Sequence, residues 1–146
     1  MIDLTQAEAD ALLAMPKRRM ETVTYRLPPH RGKILVPLED LTGREAFFLD
    51  VGRGGISLER RTYQTRARHT AILARLDFGS PHRNPDGEEI GVPHLHVYRE
   101  GYGAKWAYPV PADRFSHLGD PWLTLFDFLV FCNVVEPPDI QQELLP

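Results

Sequence analysis

Between Pro16 and Asp120 the chain is a succession of short alternating runs, most of them closed by a cluster of turn residues, and that punctuation favours strands. A strand sends successive side chains to opposite faces, so apolar and polar residues alternate with period two, whereas a helix needs ten or more residues without a breaker. Val23 and Tyr25 alternate with Thr22 and Thr24 before the turn Pro28-Pro29-His30-Arg31-Gly32. Ile34 to Leu38 returns as a strand, and after Leu41-Thr42-Gly43-Arg44 the run Ala46 to Val51 reads as a third, broken by Gly52-Arg53-Gly54-Gly55 before Ile56 to Leu58. Arg60 to Arg68 reads as too polar for a core. His69 to Phe78 reads as a longer strand, with Ile72, Ala74 and Leu76 on one face and Arg75 and Asp77 on the other. Pro93 to Arg99 and Lys105 to Val110 flank the turn Gly101-Tyr102-Gly103 and read as a hairpin.

Helices are predicted only at the two ends. Thr5-Gln6-Ala7-Glu8 is a capping-box pattern, and Leu4, Ala11, Leu12 and Met15 form the apolar stripe of a helix that Pro16 stops, leaving Lys17, Arg18 and Arg19 near its negative end. Asp120-Pro121 supplies an N-cap and first-turn residue for a second helix to about Cys132, with Trp122, Leu125, Phe126, Leu129 and Val130 on its apolar side. Pro137-Pro138 ends the order or begins a docked tail. The expected fold is α+β: an antiparallel, strongly bent sheet or partly open β-barrel flanked by an N-terminal and a C-terminal helix. At 146 residues a single domain over 1–146 is expected, and with 42% hydrophobic residues it can build its core without metal or cross-link.

Composition narrows the setting. A single cysteine, Cys132, excludes an intrachain disulfide and predicts a reducing, cytoplasmic compartment. No basic stretch followed by an apolar one opens the chain, and the longest apolar run, Leu123 to Val135, is interrupted by Asp127 and Asn133, so neither export nor membrane spanning is expected. The net charge of −3 argues against a general nucleic-acid coat, but a basic middle, Val51 to Arg75, meets an acidic stretch from Ser116 onward. Phosphate loops, nucleotide-fold glycine motifs, Cys-x-x-Cys pairs and nucleophile elbows are all missing.

The candidate site is Pro81 to Pro109. Gly79 to Val92 is long for a hairpin connection, and Asn84-Pro85-Asp86-Gly87 is rigid turn chemistry, so an ordered loop is expected to roof the strand after it. On that strand, alternation puts His94, His96 and Tyr98 on one face and Leu95, Val97 and Arg99 on the other. Three chemistries fit. The first is metal-independent acid–base cleavage of RNA, whose own 2′-hydroxyl is the nucleophile. Here His94, His96 and Tyr98 are the catalytic candidates, and Arg66, Arg68, Arg99 and Lys105 the phosphate-binding ones, with His82 and Tyr108 as positioning groups. The second is a divalent-metal site at His82, His94 and His96, with Asp86 or Glu100 as further candidates. The third is recognition without catalysis, with Tyr98, Tyr102, Trp106 and Tyr108 as stacking faces.

The stretches Pro81-His82-Arg83-Asn84-Pro85-Asp86-Gly87-Glu88-Glu89 and Pro93-His94-Leu95-His96-Val97-Tyr98-Arg99-Glu100-Gly101-Tyr102-Gly103-Ala104-Lys105-Trp106-Ala107-Tyr108-Pro109, together with Thr62-Tyr63-Gln64 and Asn133 to Pro138, resemble a family of small uncharacterised bacterial and phage-associated proteins. The resemblance implies a shared fold and site and carries over no catalytic roles. The Pro-His-x-His-Val piece also looks like a motif of small proteins linked to toxin–antitoxin loci. The leading expectation is therefore a toxin-like or defence-associated endoribonuclease without a cofactor. Its first rival is a non-enzymatic inhibitor or antitoxin-like module from a mobile element that binds a cognate protein through Asp127, Glu136 or Asp139, and its second is a metal-binding protein.

Overall fold

Thr5 and Glu8 start the first helix as their spacing requires. The Thr5 hydroxyl accepts from the Glu8 amide and the Glu8 carboxylate from the Thr5 amide, so two backbone donors without intrahelical partners are satisfied together. In the computed structural model, which describes residues 3–27, 31–53 and 60–142, this helix is α1 (Gln6–Ala14). There follow β1 (Lys17–Arg19), β2 (Thr24–Leu27), β3 (Gly32–Asp40), β4 (Ala46–Arg53), β5 (Arg61–Ala67) and β6 (Ala71–Asp77). A small hairpin of β7 (His82–Arg83) and β8 (Glu89–Ile90) precedes β9 (His94–Val97) and β10 (Ala107–Pro109). Then come α2 (Pro121–Phe131), β11 (Val134–Glu136) and β12 (Asp139–Gln142). Pro28 to His30 of the expected turn, Gly54 and Gly55, and the strand expected at Ile56 to Leu58 lie outside the described residues.

Eight strands form one sheet in the order β10-β9-β6-β5-β4-β3-β1-β11, antiparallel throughout except for the parallel pair β1–β11. Its outer strands, β10 and β11, do not pair with each other, so the sheet is not closed. Closure would need a free ladder along β10, whose Pro109 brings no N–H. The fold is α+β with a mostly antiparallel sheet. Ala9 and Leu12 of α1, and Leu125, Phe128 and Leu129 of α2, join Leu38, Phe47, Leu49, Tyr63, Leu76 and Leu95 in one core cluster. Both helices therefore cover the same face of the sheet, and the opposite face carries polar residues beside Leu35, Phe48 and Ile72.

Two expectations about the middle of the chain are corrected. The segment thought too polar for a core is the interior strand β5: Tyr63, Thr65 and Ala67 alternate inward and are fully buried, while Gln64 and Arg66 alternate outward. Overall polarity misled because one inward face of three residues is all an interior strand needs. The second correction is a bulge. Partners of β5 jump from Ala74 to Ile72 between Thr65 and Arg66, so Leu73 is an extra residue and both Leu73 and Ala74 are buried, while Ile72 is only half-buried. The expected Ile72–Ala74–Leu76 face is thereby split.

The Asp120 carboxylate accepts from the amides of Trp122 and Leu123 and starts α2, whose Val130, expected on the apolar side, is exposed. Cys132 is buried beside Thr65, and burial pushes its thiol up to about 11. Beyond Pro137-Pro138 the tail is docked, with β12 parallel to β2. Among the described residues no helix is long and apolar enough to cross a membrane.

Candidate metal centre

Strand pairing brings the site together. β9 runs antiparallel to β6 so that His94 faces Asp77 and His96 faces Arg75. On its other side β10 sets Pro109 and Ala107 opposite the same two histidines. The β7–β8 hairpin then covers them. Its turn is closed by the Gly87 amide donating to Asn84 O at 2.8 Å, with Gly87 at φ +93° in the left-handed region that Asn84-Pro85-Asp86-Gly87 was expected to need. Asn84 itself is only 4% exposed; its Nδ2 donates to Ala107 O at 2.9 Å and its Oδ1 accepts from Ala107 N at 2.8 Å. The side-chain amide thus pairs with β10 as an extra peptide unit would. This holds His82 over the strand, its ring 4.7 Å from that of His96 and 5.8 Å from that of His94, with His94 and His96 4.9 Å apart.

Each imidazole is tied by one nitrogen to a main-chain oxygen. His94 Nδ1 bonds Gly91 O at 3.0 Å, His96 Nδ1 bonds Ala104 O at 2.7 Å, and His82 Nε2 bonds Lys105 O at 2.7 Å. A carbonyl only accepts, so these nitrogens carry the protons and the opposite ones present lone pairs. His94 Nε2 is buried with no hydrogen-bond partner among the described residues, 3.7 Å from Asp77 Oδ2. Asp77, His94 and His96 each offer one ligand atom, all within 4.8 Å of one another. Arg75 Nη2 donates to His96 Nε2 at 3.2 Å. Burial, and next the Arg75 guanidinium, lower the His96 pKa to about 4, which keeps its ring neutral at physiological pH.

Not every expected site residue comes here. Tyr98 is corrected: it lies in the core, its hydroxyl accepting from Leu4 N at 2.8 Å and donating to Leu4 O at 3.1 Å. Its amide donates to Leu73 O, so the bulge that turns Leu73 inward carries Tyr98 with it, off the histidine face. Tyr108 pairs opposite Leu95 rather than a histidine. The Arg99 guanidinium stacks on Trp106, 4.1 Å from the ring centroid, and on Tyr102. Lys105 contributes its carbonyl and exposes its side chain. Arg68 follows the far end of β5 and pairs with Glu45 and Glu8. Asp86 accepts from Glu88 N within its turn, and Glu100 from Gln6 N. Arg66 is on the open face, bound to Asp50 at 2.6 and 3.0 Å and to His69 O.

Asp77 and Arg75 are the residues that sequence reasoning missed. Alternation already put both on the outward face of their strand, and the signal that could have found them was register, since the Gly79 to Val92 loop returns β9 alongside β6. Next to them the open face holds a hollow of about 710 Å³ lined by Lys33, Asp50, Gly52, Arg53, Thr62, Gln64, Arg66, Arg75 and Asp77. No curated protein and no solved structure matches the chain. A sequence profile does match residues 4–134, a span that holds every residue of the centre, and by that match the chain belongs to a family of unknown function, DUF6978.

Proposed function

We propose that Asp77, His94 and His96 hold one divalent transition-metal ion, zinc by ligand type, and that the protein is a metal-dependent hydrolytic enzyme. The observation that carries this reading is the anchoring of His94 and His96, each giving one N–H to a main-chain oxygen and bringing its other nitrogen together with the Asp77 carboxylate, the three ligand atoms within 4.8 Å of one another. Such outer bonds fix the tautomer and aim that metal-binding histidines need, and neutral rings are the ligating form. Two imidazoles and a carboxylate leave a fourth position of a tetrahedral ion for water, whose pKa falls to about 7 when bound to zinc in such sites. Arg75, which donates to His96 Nε2 and lines the adjoining hollow, would have to release that bond for His96 to hold the ion. Zinc titration with elemental analysis tests the reading. One equivalent is expected for the wild type, and His94→Ala should weaken binding by at least the roughly 10–100-fold that loss of a mere supporting contact costs. A wild type that takes up no ion, or a variant that binds equally well, overturns it.

The Arg75–His96 hydrogen bond favours a second reading, the metal-independent endoribonuclease, in which Arg75 rather than a metal ion neutralises charge at the phosphate. A neutral His96 would take the 2′-hydroxyl proton while another histidine protonates the leaving 5′-oxygen. Cleavage of labelled RNA that persists in a chelator decides for it. The protein-partner reading draws less support. Asp127 is engaged by His117 and Asp139 by Thr24, so these acids are held within the fold.

A further inference from the structure

We infer that the hollow beside the metal centre binds a single-stranded oligonucleotide through its phosphates, laid across the sheet from β9 toward β3. The inference rests on the metal reading for the phosphate nearest Asp77, His94 and His96, and on the sheet alone for the rest. Register sets a row Lys33–Gly52–Thr62–Asp77–His94 across five strands. Gly52 has no side chain and Thr62 a short one, so the row is a trough with a cation at one end and the ligand cluster at the other.

Lys33 and Asp77 are three strand spacings apart, about 14 Å along the backbone. One phosphate cannot reach both ends, so the occupant carries anionic groups in series. Along the way Asp50 accepts from Arg66 twice and from Gln64, which spends its charge internally rather than against a ligand. The Arg75 guanidinium keeps its Nε buried with no acceptor among the described residues, and the ion would free its Nη2 as well for a phosphate. An acidic peptide fits less well. Peptides bind sheets by adding to an edge, and β3, β4, β5 and β6 are each paired on both sides. The floor of Gly52, Thr62 and Gln64 also offers no apolar pocket for a peptide side chain.

Fluorescence anisotropy with a labelled 2′-O-methyl RNA decamer, on zinc-loaded and on chelator-treated protein, tests the inference. The zinc-loaded protein should bind the decamer, and Lys33→Met should weaken binding severalfold and lower the slope of log K against log salt by about 0.7 to 1, the loss of one phosphate contact. Gly52→Val, which fills the trough without changing charge, should weaken it as well. The inference is overturned if neither variant alters binding, or if inorganic phosphate or an oligoglutamate decamer binds as tightly. Zinc uptake without decamer binding sinks this inference alone. Decamer binding that is sensitive to Lys33→Met in a protein that takes no zinc sinks the metal reading and leaves the trough standing.

Discussion

Asp40 shows how much one carboxylate can organise. At the end of β3 its Oδ1 accepts from the amides of Arg44 and Glu45 at 2.8 Å and its Oδ2 from the Thr42 hydroxyl, closing the turn into β4. The Glu45 amide first, and then the Thr42 hydroxyl, lower its pKa from the ordinary 3.8 to about 2. The folded state therefore binds this proton less readily than the unfolded chain does, so the stabilisation is complete above pH 3.8 and is lost as pH falls toward 2. Urea unfolding measured from pH 5 to pH 2 should show Asp40→Asn to be less stable than wild type at the upper end, with the gap narrowing through that window. A gap that stays constant with pH would assign the effect to shape rather than charge.

Among the elements, the β7–β8 hairpin depends on a single side chain. Asn84→Ala leaves the buried N–H and C=O of Ala107 without partners, a loss of about 1–3 kcal/mol for each group kept from water. Hydrogen exchange should then quicken across residues 82–90, and on the proposed metal reading zinc affinity should fall because His82 and Gly91 no longer hold their places over the strand; unchanged exchange there would refute the clamp. Local signals made much of this legible in advance. Thr5 and Glu8, Asp120 and Pro121, and the Asn84 to Gly87 turn act within a few residues of themselves, so their chemistry is complete in the sequence. Leu73 is different, because a bulge is defined by the partner strand, and it moved Tyr98 from the expected site into the core. Asp77 was hidden for the same reason. A carboxylate joins a histidine cluster only when register sets it opposite one.

At the scale of the whole molecule Lys17 joins parts that are far apart in sequence. Fully buried, its ammonium donates to Leu13 O at 2.8 Å and Met15 O at 2.9 Å near the end of α1, and to Cys132 O at 2.8 Å at the end of α2. It also lies 4.7 Å from the centre of the Phe47 ring. The carbonyl ends of two helices thus share one cation, placed where both dipoles favour it, and although burial lowers its pKa to about 8 it stays charged at neutral pH. The α1 half of this arrangement was readable from Pro16-Lys17; the α2 half arises only from packing. Lys17→Met keeps the volume but strands three carbonyls, so a fall of at least about 10 °C in the thermal midpoint is expected, at about 1–3 kcal/mol per carbonyl. A midpoint within a degree or two of wild type would show that the cation is dispensable.

The docked tail bears on how the chain is made. Lys17 of β1 pairs with Val134, and β2 takes its partner from β12. During synthesis β3 to β6 can zip into a meander from neighbours already released and β1 can add to β3, while β2 waits for β12. Until then β2 offers a bare ladder to any extended neighbour, and the growing chain is most vulnerable to mispairing there.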